Sequence, residues 1–495
     1  MQVSAASAPR PIEALSGLEP WQRAELPEPP RPTGLGWLKA VGPGIIALGV
    51  SIGSGEFLLG PAAFVAHGLS LLWVVGVAIT LQAIFNTEVM RYTLATGEPA
   101  FTGFMRTRPS STAWAWLYAG LYFLQVGWPA WAGTAAAAIF FLFAQRLAGA
   151  ADAASIHYIG VVAFLACVAI LMVGRRIERT LELLNWVLVV TILGGFLLLA
   201  LFFVPAATWG AAFAGFGGFD VERGVFDPLP RGADFFLLGA LVAYSGAGGV
   251  VNIVLSNWAR DRGYGMGARA GYIPAAASGQ KGNVAPTGFI FSDHPSEMAR
   301  WRGWWRIVAA DQWGLFFAGG LLGMVLPALL YVTFLPRGTD IQGLGISAAL
   351  ASAIGTQAGA TIAGVIAFLG AWILFKTQLD NLEGMVRAIT DILWAGSGRV
   401  RAWRGGDIRA VYYTVLATLV VWGIIAMRLA QPIVLLKLGA NVAGAIFIIA
   451  APHLLYINTR LLPPHLRPPM WRRVALVIMT AFYGVFVGLS FGSLW

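Results

Sequence analysis

The sequence predicts an all-α integral membrane protein of about eleven transmembrane helices, built as a 5+5 inverted repeat. Three observations predict it. Of the 495 residues, 58% are hydrophobic and only 11% charged, against about 25% charged in a soluble domain. Apolar runs of ~20 residues recur along the chain, too long for the alternating ~10-residue strands of a membrane barrel. Two of these runs, five apart, are interrupted by glycine clusters.

The elements follow in order. Residues 1–40 are polar and proline-containing (PRPIEALSGLEPWQRAELPEPPRP). They lack the short apolar core of a signal peptide and read as a mostly disordered tail. Spans 1–5 are expected near 42–66, 69–91, 113–145, 156–174 and 183–204, forming repeat 1 within 41–204. Residues 205–232 form a loop. Spans 6–10 are expected near 233–257, 307–334, 359–379, 410–428 and 431–457, forming repeat 2. A loop and span 11 (471–493) complete 458–495.

Basic residues orient the bundle. With the N-terminus in the cytoplasm, 26 of the 33 Lys and Arg fall in cytoplasmic segments. Arg175, Arg176 and Arg179 share one loop; Arg399, Arg401, Arg404 and Arg409 share another. External segments hold Arg146, Arg223, Arg231, Arg337 and Arg428. An odd number of spans then puts the C-terminus outside. The formal charge of +10 reflects this topology and gives no reason to expect nucleic acid. The single Cys167 cannot form an internal disulfide.

Span 1 contains SIGSGE (51–56), and span 6 contains Ser245-Gly246-Ala247-Gly248-Gly249. An offset of five spans gives the two copies opposite orientation. Paired glycine-interrupted helices point to the binding site of an inverted-repeat transporter. Glycine permits non-helical backbone, and unwound backbone is tolerated in a membrane only inside protein or beside a wet cavity. Close packing of helices through small residues is the competing reading. Glu56 lies about 21 Å into span 1. A central acid costs ~2.5–3.5 kcal/mol or more to insert, which makes it a functional candidate. Lys376 and Lys437 lie near span ends and are expected to snorkel. Glu88 and Asp311 fall near cytoplasmic ends.

The stretch GPGIIALGVSIGSGEFLLGP (42–61) resembles helix 1 of the Nramp family of divalent-metal transporters. NTEVMRYTLATGE (86–98) resembles the segment after that family's helix 2. SNWARDRGYGMG (256–267), RWRGWWR (300–306) and KTQLDNLEGMVRAITDILW (376–394) resemble a bacterial Nramp-related branch. The resemblance covers most of residues 40–460. It implies the leucine-transporter fold with helices 1 and 6 broken around a central site, in a bacterial inner membrane.

The departures limit what carries over. The family's Asp-Pro-Gly-Asn metal motif falls on Gly53, Ser54, Gly55 and Glu56. Its helix-6 Ala and Met-Pro-His fall on Ala243 and on Gly246, Ala247 and Gly248. The soft sulfur and the imidazole are gone, so transition-metal selectivity and the family's proton route are not implied. The remaining candidate site is Ser51, Gly53, Ser54, Glu56, Ala243, Tyr244, Ser245 and Gly246, with Glu56 as the metal ligand. Hard oxygens suit magnesium, calcium or manganese. A small organic cation or a zwitterion is the alternative cargo, the latter resting its carboxylate on a half-helix N-terminus.

Other signals are weaker. RDRGYGMG (260–267) lacks the Gly-Lys-Ser/Thr ending of a P-loop, so ATP is not expected; a structured gate-side loop is. Trp301, Trp304 and Trp305 share one face and suggest an interfacial helix. SDHPSE (292–297) reads as a helix N-cap rather than a metal site. Glu383 and Asp391 each lie four residues from Arg387, a spacing for surface ion pairs; with Asp380 they form a possible gate. We expect a monomeric secondary transporter of a small cation, in contact with membrane lipid and without a cofactor. An enzyme is disfavoured because no catalytic triad or ligand cluster is present.

Overall fold

The computed structural model describes residues 18–173, 177–271, 287–342 and 345–493; Arg175 and Arg176 lie outside them. Among the described residues, ten helices are long and apolar enough to cross a membrane. They are Pro43–His67, Leu69–Thr96, Ser111–Ala144, Ala150–Met172, Asn185–Phe203, Pro295–Phe334, Ala360–Gly396, Ile408–Ala426, Pro432–Leu461 and Met470–Gly492. These are spans 1–5 and 7–11. Span 6 is missing from the set because it is divided into Phe235–Tyr244 and Val250–Asp261.

Span 1 is buried almost throughout and forms the axis of the bundle. Its neighbours include spans 5, 6, 7 and 8. The expected break at residues 51–56 is not an unwound segment. Pro43–Ser51 passes into a wider π-helical stretch, Ile52–Leu59, and then into Gly60–His67. The glycines of SIGSGE stay helical, because their function here is to admit neighbouring groups rather than to turn the chain.

Span 7 begins earlier than expected, at Pro295, with His294 as its N-cap. The tryptophan-rich segment is the first part of this helix and not a separate interfacial anchor. Trp301 and Trp304 are buried. Trp305 lies under the guanidinium groups of Arg91 and Arg472, 4.3 and 5.0 Å from its centroid. Those two cations flank the buried Glu88 at 2.8 and 3.0 Å. The Trp305 ring therefore holds protein cations, which its electron-rich face attracts.

The tail also differs from expectation. Residues 18–40 are docked against the face that bears the N-terminus. Gln22–Arg23 pairs in parallel with Phe289–Ile290. Leu26 is fully buried, and its N–H donates to Glu297 at 2.8 Å. Trp21 Nε1 donates to Glu98 at 3.1 Å, and Trp304 Nε1 donates to the Pro27 carbonyl at 2.8 Å. Residues 1–17 lie outside the described residues.

Candidate functional site

Span 6 stops being helical where its glycines take conformations that other residues avoid. Gly246, Gly248 and Gly249 have φ of +105°, +83° and +49°. The break frees backbone groups that must find partners inside the protein. Two glutamines supply them. Gln82 of span 2 donates to the carbonyls of Ala243 (3.2 Å) and Ser245 (2.8 Å), and accepts from the Gly248 N–H at 3.2 Å. Gln125 of span 3 donates to the Gly248 carbonyl and accepts from the Val250 N–H, both at 2.9 Å. The sequence reading did not select either glutamine. Their signal is an uncharged amide inside an apolar run, which insertion energetics alone does not flag.

Span 1 meets this break at its wide turn. A Cβ on Gly55 would stand 1.8 Å from the Tyr244 carbonyl oxygen, and one on Gly53 would stand 2.0 Å from Thr377 Oγ1 of span 8. Only glycine lets the three helices approach this closely.

Glu56 is fully buried. Its Oε1 accepts a short hydrogen bond from Ser51 Oγ, and its Oε2 has no partner. The side chain turns toward span 7, where Gly320 and Gly323 leave it room. A Cβ on Gly323 would stand 3.3 Å from Glu56 Cγ. The site-lining residues thus divide into two groups. Ser51 and Glu56 lie together. Ser54 is turned elsewhere, donating to the Val50 carbonyl at 3.0 Å and accepting from Trp131 Nε1 at 3.0 Å. The Trp131 and Tyr244 rings stack at 6.4 Å. The Ala243 carbonyl, expected as a ligand, is engaged by Gln82. The Ser245 hydroxyl donates to its own helix at Leu241, and Gly246, packed against Gln82 and Phe316, turns its backbone N–H toward the Glu56 carboxyl. Among the described residues no three His, Cys, Asp or Glu side chains cluster as a metal site. A cation here would have one carboxylate, hydroxyls and backbone oxygens.

The candidate gate residues are buried rather than on a helix surface. Asp380 pairs with Lys376, which the sequence placed among snorkelling residues; its ammonium points into the bundle and also donates to Asn185 of span 5. Glu383 accepts from Arg387 at 2.6 Å. Asp391 accepts from Asn257 at 2.6 Å and from Arg260 at 3.0 Å. It therefore ties span 8 to the second half of span 6, a partner that an i,i+4 pattern within one helix cannot reveal.

Further bonds seal the same face. Arg262 donates to the carbonyls of Lys39 (2.6 Å) and Val41 (3.1 Å), and the Tyr264 hydroxyl donates to Ala40 at 2.6 Å. The N–H groups of Gly42 and Gly44 donate to Asp311, each at 2.8 Å. The start of span 1 is thus clamped to spans 6 and 7. At the opposite face a cavity of about 780 Å³ is lined by Gly133 and Thr134 of span 3, Gly345 and Ile346, and Pro432 of span 10.

No protein-family model and no curated protein matches the chain. Solved structures do match. A mutant of the Eremococcus coleocola manganese transporter is 15% identical, with a TM-score of 0.64, covering 97% of this chain and 90% of that one. The same transporter in complex with an aromatic bis-isothiourea compound is 15% identical, with a TM-score of 0.62 and the same coverage. The chain has the fold of that transporter. The likeness spans both halves of the chain, which is an integral membrane protein. The glycine break in span 6 lies at its centre.

Proposed function

We propose that this protein is a secondary-active transporter, moving a small divalent cation by alternating access across the bacterial inner membrane. The N-terminus is cytoplasmic and the C-terminus external in this reading. The observation that carries it is Glu56: a fully buried carboxyl group with one unpartnered oxygen, beside the divided span 6. A carboxylate so placed is costly unless a cation or proton meets it. The transporter fold and the hard-oxygen surroundings support the same reading. The clamps on span 1 and the Arg260–Asp391 pair close the cytoplasmic face, and the cavity lies toward the outside.

Glu56→Gln keeps shape and an acceptor oxygen but removes the charge. At an effective dielectric of ~20, unit charges ~4 Å apart interact by ~4 kcal/mol before desolvation. For a divalent ion the attraction doubles to ~8 kcal/mol, and a quarter of that, ~2 kcal/mol, is more than tenfold in affinity. Uptake of Mn²⁺, Mg²⁺ or Ca²⁺ into proteoliposomes should therefore fall at least tenfold, with unchanged insertion and thermal stability. Undiminished uptake by a folded variant would exclude the charge-based site. A second reading, a small organic cation, draws on the stacked Trp131 and Tyr244 rings beside Ser54, since aromatic faces attract cations. Uptake of amines that ignores both divalent ions and Glu56 would favour it.

A further inference from the structure

Lys376 and Asp380 lie outside the site built around Glu56. Both are buried, 3% and 4% exposed. The ammonium binds Asp380 on its own helix and Asn185 on span 5. Gly49 of span 1 packs on this group: a Cβ there would stand 1.9 Å from Asn185 Oδ1 and 3.4 Å from Lys376 Nζ. The pair thus stands where spans 1, 5 and 8 meet. As a purely structural device it is poor, because desolvating two charges costs several kcal/mol each and apolar packing often does as well. A second observation sets it apart. Asp380, whose carboxylate also faces the Asn185 side chain, keeps Oδ1 without a partner, as do Thr377 Oγ1 and Asn381 Nδ2, all buried on the same helix. Thr377 faces Gly53, three residues before Glu56. Buried polar atoms are nearly always paired, so this set is arranged to receive something.

We propose that Asp380, held beside Lys376, is a proton-binding site that is loaded and unloaded during transport. Hydronium delivers its proton to Asp380 Oδ1 and departs as water. The pair passes from net zero to net +1, and the reverse step returns the proton to water. Once Asp380 is neutral, the Lys376 ammonium faces span 1 with only the Asn185 dipole to balance it. That positive charge opposes a cation at Glu56 on the same helix. Linkage makes the opposition reciprocal, so the arrangement suits exchange of cation against proton. The other titratable or charged groups around the pair are Cys167 of span 4, which is near enough to sense Asp380, and Glu383 with Arg387 further along span 8. Span 5 contributes the neutral Asn185, and span 1 contributes Gly49.

The role in transport rests on the function proposed above, but the proton site can be read without it. Infrared pH titration of the full-length protein in lipid should show a carboxylic acid C=O band appearing on acidification. The band should vanish in Asp380→Asn and persist in Glu56→Gln. In proteoliposomes given Mn²⁺, Asp380→Asn should lose proton movement at least tenfold while retaining downhill uptake. If wild type carries no Mn²⁺ but the band maps to Asp380, the proton site stands and the transport reading falls. A band or proton movement unchanged in Asp380→Asn overturns the proposal. Should that variant fail to fold, the doubly neutral Lys376→Met/Asp380→Leu replaces the pair with apolar groups, and a band persisting in it overturns the proposal equally.

Discussion

Spans 1 and 6 carry matching glycine clusters, yet one stays helical and the other comes apart. In span 6 three glycines adopt positive φ. In span 1, Gly53 and Gly55 keep helical backbone, and the space of their missing side chains is filled by Thr377 and the Tyr244 carbonyl. The difference lies in the neighbours. Gln82 and Gln125 offer donors and acceptors to the loose backbone of span 6. The serines of span 1 offer none to a break: Ser54 donates to its own helix four residues back, and Ser51 is held by Glu56. A break requires partners for its orphan groups, and an intact helix beside it gives the loose segment a firm wall.

The largest expected effect tests close approach in span 1. Gly55→Ala drives a Cβ into backbone, which cannot move aside as a flexible side chain can. Overpacking of this kind costs ~1–3 kcal/mol and sometimes more; we expect the upper end, with a clear loss of Tm and yield in detergent. A Gly55→Ala protein as stable as wild type would break the comparison, since span 1 would then have room to unwind.

Gln82→Leu tests the opposite region and ranks next. It strips partners from Ala243 O, Ser245 O and Gly248 N–H at once. Each buried group left unpaired costs ~1–3 kcal/mol, partly relieved by water entering the break, so a net loss of about 2 kcal/mol is expected. Ser54→Ala in span 1 should cost less than about 1 kcal/mol, because its hydroxyl serves no broken backbone. Equal losses, read from thermal unfolding of the two variants, would erase the distinction between the spans.

Much of this architecture was legible in the sequence, for an identifiable reason. Apolar runs of membrane length admit few alternatives, so ten spans fall where expected, with spans 7 and 8 running longer, and the glycine cluster marked the break in span 6. What escaped depends on contacts between distant residues. Glycines at a close contact look the same as glycines at a break until the neighbour is known. Lys376 sits near a span end by counting, but counting does not say which side of the helix faces lipid. Residues 18–32 read as disordered from composition. Their partners Glu98 and Glu297 lie 77 residues from Trp21 and 271 from Leu26, beyond any local pattern.

The smallest expected effect concerns how the two spans are held at the face that bears the N-terminus. Span 6 continues into the loop whose Arg262 and Tyr264 grip span 1, whereas span 1 follows directly from the docked residues 18–40. Glu98 anchors that segment, accepting from Trp21, Arg106 and the Gly288 N–H. Burial pushes its carboxyl pKa up, but the Arg106 guanidinium and these hydrogen bonds outweigh burial and hold it below the ordinary carboxylate range. A depressed pKa gives stabilisation that is present above the ordinary carboxylate range and is lost as pH falls through the lowered value. Protection of Trp21 from quenchers or proteases should therefore be flat from neutral pH down to ~4.5, with release only in stronger acid. Glu98→Gln should loosen the segment at neutral pH by about 1 kcal/mol, since it weakens a charged set of hydrogen bonds. It should change cation uptake less than threefold, because the Arg262, Tyr264 and Asp311 clamps on span 1 are untouched. Release of Trp21 already at mildly acid pH, or a Glu98→Gln protein whose span 1 opens, would show that the docked segment holds span 1 and that those clamps do not suffice.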